Sequence, residues 1–223
     1  MTRDTFEVIR NYMLDMMKDY AHDYLHVYRV LYQALEISKN YEVDKDVLIA
    51  SCLLHDIGRN AEFQNSKLCH AVEGGKLAYD FMKQLGWQES QCLHIKECIT
   101  THRFRSNNLP KTMEAKILFD SDKLDVTGAL GIARSLIYKG QVGEPLYTIN
   151  KDFRIHNELS EDMPESFIKE YHFKLSKLYK QFYTPEATAI AHKRKKIADW
   201  FYRELIDEIE ICGLEEHLDI GNM

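Results

Sequence analysis

The chain has 223 residues, 45% of them hydrophobic, and a formal net charge of -6. That is enough apolar material for a buried core and enough charge for solubility, while the acidic balance supplies no global basic field for a nucleic-acid polymer. The five cysteines, Cys52, Cys69, Cys92, Cys98 and Cys212, are odd in number and lack disulfide-framework spacing, no basic leader precedes a long apolar run, and nowhere do about 18 apolar residues follow one another, so a cytoplasmic protein without a membrane span is expected.

Apolar residues recur at helical spacing over long windows, with few glycines or prolines and no sustained strand alternation, which predicts an all-α fold, a single-domain helical bundle spanning 1–223. A first helix runs through Phe6, Ile9, Met13, Met16 and Met17 and is expected to end near Tyr20. The second starts at Tyr24 and buries Val27, Val30, Leu31, Leu35 and Ile37, so His26 projects from its start. The third follows Asp44, a plausible N-cap, with Gly58 placed to stop it and His55-Asp56 at its C-terminal end. Adjacent helical residues point about 100° apart, so this pair converges on one ion only where both directions border the same site. Further helices are expected at about 70–85, 89–102 and Met113 to Asp125, then from Ile132 to Tyr138, with Gly128 and Gly131 marking close packing. The polar stretch of about 139–164 reads as a loop or lid. Two last helices are expected, Glu165 to Phe182 and Pro185 to Ile211, the latter capped by Thr184 and packing with its predecessor onto a core of about 20–126. The run Lys193-Arg194-Lys195-Lys196 reads as a solvated helix face, and Cys92, His94 and Cys98, which lack a fourth nearby ligand, as ordinary helix residues.

His26, His55, Asp56 and Asp122 each fall in an apolar helical stretch where an imidazole or carboxylate needs a partner. Two imidazoles and two carboxylates suit one divalent ion (Mn, Ni, Co, Fe, Mg or Zn), and on an octahedral ion they leave positions for water or a phosphate oxygen. No nucleophile elbow, Gly-rich phosphate loop or HExxH motif occurs.

The order H…HD…D resembles the HD-domain metal-dependent phosphohydrolase superfamily. The segments HDYLHVYRV, CLLHDIGR, HAVEGG, ITTHRFR, AKILFDSDKLDVTGALGIAR and HFKLSKLYKQFYT extend the likeness over most of the chain, to the YedJ/YpgQ-like bacterial branch. The resemblance implies an all-α bundle with one divalent ion, Mn favoured, held by His26, His55, Asp56 and Asp122. It also implies cleavage of nucleoside triphosphates to monophosphate and pyrophosphate by metal-activated water. Among three neighbouring aspartates, Asp122 is chosen because the superfamily's ligand precedes Lys/Arg-Leu, here Lys123-Leu124; Asp125 ranks second and Asp120 third. Relatives commonly carry alanine where Ser121 stands, a change that leaves Asp122 in register.

Asp56 and His102 are the expected catalytic residues, with His102 steering protons. Arg59, Arg103, Lys123, Lys174 and Arg194 are the expected phosphate contacts, because a triphosphate carries about four negative charges that guanidinium and ammonium groups must meet. His70 and His102 are read as substrate or outer-layer groups, although binuclear members of the superfamily use ligands from these stretches for a second ion. His22 reads as an outer-layer or surface histidine and Glu73 as a surface carboxylate. The expected partner is a nucleotide, with the apolar positions of the last helix offering a homodimer surface. The alternatives are a nucleotide phosphomonoesterase or phosphodiesterase, and, in another class, a non-catalytic nucleotide or metal sensor.

Overall fold

The computed structural model describes residues 1–17, 24–103, 108–149 and 163–210. Within them lie α1 (Arg3–Met16), α2 (Tyr24–Ser38), α3 (Lys45–Leu54), α4 (Arg59–Gln64), α5 (His70–Gln84), α6 (Glu89–Thr101), α7 (Met113–Leu124), α8 (Gly128–Val142), α9 (Phe167–Glu170), a π-helical turn (Tyr171–Leu175), α10 (Ser176–Leu178) and α11 (Pro185–Glu210). The fold is all-α, and among the described residues no helix is long and apolar enough to cross a membrane. The contacts form two compact units: Met1–Asp125 with Phe182–Ala187, and Val126–Gln181 with the residues from Thr188 onward.

Side-chain caps start three helices of the first unit. Thr2, Asp44 and Thr112 accept from the backbone N–H groups of the first turns of α1, α3 and α7, satisfying donors that a helix start leaves without partners. Thr184 accepts from Ala187 N at the start of α11. The core is drawn from Val27, Val30 and Ala34 of α2, Val47, Leu48, Leu53 and Leu54 of α3, Ile95 and Ile99 of α6, and Ile117 and Leu118 of α7, all fully buried. Gly86, with a φ of 80°, makes the turn from α5 to α6, where a side chain would be strained.

Several boundaries differ from expectation. α1 ends at Met16, because Met17 is already extended while its N–H bonds back to Met13 O; Tyr20, like His22, lies outside the described residues. α3 stops at Leu54, not at Gly58, and residues 55–58 form turns closed by Ile57 N to Leu54 O and Arg59 N to Asp56 O. Gly58 has an ordinary negative φ; what it provides is room, since a Cβ there would sit 2.2 Å from His70 O and 2.5 Å from Gly74 N. The turn after α3 can therefore lie directly on α5. A separate short helix, α4, follows it.

In the second unit α8 begins at Gly128 and runs to Val142, so Lys139 is helical and buried, paired with Glu144 and Glu170, instead of opening a lid. Gly143, at φ 71°, ends it. The expected helix from Glu165 to Phe182 is broken into α9, the π-helical turn and α10. The centre of the expected lid, 150–162, lies outside the described residues, as does Cys212.

Candidate metal centre

Two helices and the turn after α3 bring the four expected ligands together inside the first unit. His26 is the third residue of α2, His55 and Asp56 follow α3, and Asp122 sits in the last turn of α7. His26 Nε2 is 3.2 Å from His55 Nε2, 3.6 Å from Asp56 Oδ2 and 3.4 Å from Asp122 Oδ1; His55 Nε2 is 3.6 and 3.9 Å from the same two carboxylate oxygens. The unwinding at Leu54 gives adjacent residues His55 and Asp56 a common target.

Asp56 also faces a second set of donors. Its Oδ1 lies 3.6 Å from Nε2 of His70, the first residue of α5, and 3.6 Å from Nε2 of His102, just past α6. His26, His55 and Asp56 form one buried group with metal-holding spacing, and Asp56, His70 and His102 form another. Asp56 is thus shared, one carboxylate oxygen turned to each flank.

All four imidazoles are anchored through Nδ1. His55 donates to Cys52 O at 2.8 Å and His102 to Ile99 O at 2.6 Å, each three residues back along its own chain. His26 donates to Asp125 Oδ2 at 2.7 Å, and His70 to Glu62. With Nδ1 as donor, each Nε2 presents its lone pair to the centre, the tautomer that metal ligation uses.

Electrostatics favour the same assignment. Burial pulls the His55 imidazole down to about 4 against the opposing pull of Asp56, and burial together with Arg59 brings His70 to about 3, so both rings are neutral near pH 7. Burial alone would raise Asp56, yet Arg59, His55, His102 and His26 together hold it well below the usual carboxylate range; Lys123, His26 and His102 do the same for Asp122 against its burial. Although Arg59 lies 3.0 Å from Asp56 Oδ2, neither Asp56 oxygen accepts a hydrogen bond, and His70 Nε2 has no partner among the described residues. Buried charge of this kind costs several kcal/mol unless compensated. Imidazole nitrogens and buried carboxylate oxygens are the donor set of a divalent cation, so these residues fit the ion that the sequence implies.

The expected phosphate contacts divide between the units. Arg59 is paired to Asp56; Lys123 Nζ is 2.8 Å from Asp122 Oδ2, with Phe119 beneath it; Arg103 bonds to Glu62 and approaches His70 Nδ1 at 3.5 Å. Those three lie at the cluster. In the second unit Lys174 is exposed on the π-helical turn, and Arg194 of α11 bonds to Thr127 and packs against Gly128.

Two lower-ranked aspartates have other tasks. Asp125 is not on the ligand side of His26 but behind its ring, holding Nδ1; Asp120 accepts from Tyr183 N, Thr184 N and Thr184 Oγ1, fastening the start of α11. Glu73 pairs with Lys76, Cys92 and Cys98 are buried helix residues, and His94 bonds to Thr112. Sequence reasoning missed Glu62 and Arg29. The i,i+3 spacing of His26 with Arg29, and of Asp122 with Asp125, was the readable sign that two helix faces oppose each other there.

The family model described as "HD domain" matches residues 23–127. YpgQ of Bacillus subtilis (strain 168) is 27% identical over 141 residues, a match covering 61% of this chain and 61% of that relative, less than two thirds of its length. The crystal structure of B. subtilis YpgQ in complex with ADP superposes with a TM-score of 0.70 at 24% identity, covering 92% of this chain and 97% of that one. An HD-superfamily hydrolase from Bacillus thuringiensis gives a TM-score of 0.68 at 24% identity, with coverages of 92% and 97%. At these identities the structural likeness establishes the fold.

Proposed function

We propose, from the match of the HD domain model to residues 23–127, a metal-dependent phosphohydrolase that cleaves nucleoside triphosphates to monophosphate and pyrophosphate. The observation that carries the reading is the convergence of His26, His55, Asp56 and Asp122, with Nε2 and carboxylate oxygens between 3.2 and 3.9 Å apart. Support for a nucleotide comes from the relative YpgQ, whose crystal structure is a complex with ADP.

His26, His55, Asp56 and Asp122 would hold the ion, Mn being favoured. When bound, a divalent ion at such a site acidifies water and neutralises phosphoryl charge. The chain's own groups do the rest. His102 keeps Nδ1 committed to Ile99 O and turns Nε2 inward, where it can pass a proton. Lys123, Arg59 and Arg103 set positive charge around the carboxylates, where transferring phosphoryl oxygens would otherwise be repelled. Lys174 and Arg194, which belong to the second unit, are retained as the remaining expected phosphate contacts.

One observation favours a second reading. The flank formed by Asp56, His70 and His102 has metal-holding spacing of its own, and two ions sharing a carboxylate suit phosphodiester or phosphomonoester cleavage. Purified protein incubated with Mn and a panel of nucleoside triphosphates, monophosphates and cyclic nucleotides separates the two. Pyrophosphate release supports the first reading; linear monophosphate or inorganic phosphate as sole product supports the second; tight nucleotide binding without turnover under any metal leaves a sensor.

A further inference from the structure

We propose that Asp125, clamped by Arg29, is the positioning residue that fixes His26 as an Nε2 ligand. α2 supplies His26 and, one turn on, Arg29; α7 supplies Asp122, and its C-cap residue, three on, is Asp125. The crossing puts Asp122 on the Nε2 side of the imidazole at 3.4 Å and Asp125 on the Nδ1 side at 2.7 Å. Each helix thus contributes one group to the centre and one to the brace behind it.

Asp125 itself is held from two directions. Arg29 Nε donates to Oδ1 at 2.7 Å and Nη2 to Oδ2 at 3.0 Å, a fork that fixes the carboxylate plane. Asp125 is 4% exposed on its side chain, so water competes little for its oxygens. A carboxylate so placed accepts the Nδ1 proton of His26, leaves the Nε2 lone pair free, and raises the basicity of that nitrogen. Without it, a neutral imidazole can carry its proton on Nε2, where it would point at the cluster and block ligation. His55 and His102 need no such brace, because a backbone carbonyl three residues back performs the task. For His26 the Asp125 carboxylate takes that place.

The proposal rests on the reading of the cluster as a metal centre, and its test separates the two. Long-range proton–nitrogen correlation spectra of the metal-free full chain read the His26 tautomer directly, and calorimetric titration with Mn alone reads affinity. Wild type is expected in the Nδ1–H form. Asp125→Ala is expected to admit the Nε2–H form and to weaken Mn binding about 10–100-fold. Asp125→Asn, whose carbonyl oxygen at the Oδ2 position still accepts from both Nδ1 and Nη2, is expected to keep the tautomer and lose only part of the affinity. Should Asp125→Ala fail to fold, Arg29→Ala, which loosens the clamp and leaves the carboxylate, is expected to weaken Mn binding by a smaller factor than that. A wild-type tautomer together with unchanged Mn affinity in Asp125→Ala overturns the proposal, as does equal weakening in Asp125→Ala and Asp125→Asn without a tautomer change. If wild type takes up no Mn, the metal reading falls, and the tautomer comparison still decides whether Asp125 orients His26.

Discussion

The two flanks of Asp56 are built from the same parts and differ in how firmly those parts are held. On one side His26 is braced by Asp125, nearly buried and forked by Arg29, on two long helices. On the other side His70 is braced by Glu62, about a quarter exposed, which pairs with the half-buried Arg103 on the six-residue helix α4 and the end of α6. Rigid, desolvated braces preserve ligand geometry, whereas exposed pairs are screened and adjust easily. On the proposed reading, the His26 flank is then the permanent ion site and the His70 flank the one that rearranges around substrate.

The hardest blow to both flanks falls on the residue they share. Asp56→Ala removes the carboxylate whose two oxygens face His26 and His55 on one side and His70 and His102 on the other. Metal content by elemental analysis and hydrolysis should both drop to background. Retained metal at the wild-type level would show that Asp56 is not the shared donor. Removing metal from wild type with a chelator should abolish turnover in the same way, and re-addition of Mn should restore it.

A second variant separates the flanks mechanically. In Gly58→Ala the new Cβ meets His70 O and Gly74 N at 2.2 and 2.5 Å, both backbone atoms that cannot swing aside. Overpacking of this kind costs about 1–3 kcal/mol, readable as a lower midpoint in chemical denaturation. The displacement acts on α5, so the His70 flank should be distorted while His26 and Asp122, on α2 and α7, keep their spacing. An unchanged midpoint would mean that α5 can retreat without cost.

Those two substitutions also mark what sequence makes legible. His26, His55, Asp56 and Asp122 could be named because each is a polar group in an apolar helical context, and because their order resembles a known superfamily. The helices α2, α5, α6 and α7 fell within a residue or two of expectation, because apolar residues recur through them at helical spacing. Gly58 was misread because glycine after an apolar run signals a helix end as readily as a close approach, and only the position of α5 decides between them. α4 carries too few residues for periodicity to register. Glu62 escaped, and Asp125 was ranked as a second-choice ligand and not as a brace, because a brace acts through another side chain: its signal is a distance across the fold, 99 residues apart in the sequence for His26 and Asp125.

His70→Ala tests whether the looser flank holds an ion at all. With one ion per chain, bound on the His26 side, Mn stoichiometry should stay as in wild type and the loss should appear in turnover. With two, stoichiometry should fall by one while the tighter binding event persists. The second result would move the balance from triphosphate cleavage toward the phosphodiesterase reading.

The smallest expected effect discriminates most finely between the braces. Glu62→Gln keeps the length of the side chain and an oxygen that can accept from His70 Nδ1, but it removes the charge that Arg103 pairs with. Because this pair is partly exposed, its net contribution to stability should be at most about 1 kcal/mol, and Mn affinity at the His26 flank should be unchanged. The released Arg103 guanidinium is then free to meet phosphate oxygens, so the substitution should act on KM for a triphosphate more than on the affinity for Mn. An Mn affinity in Glu62→Gln lowered as far as in Asp125→Ala would show that the two flanks are equally rigid and that their difference in exposure has no functional weight.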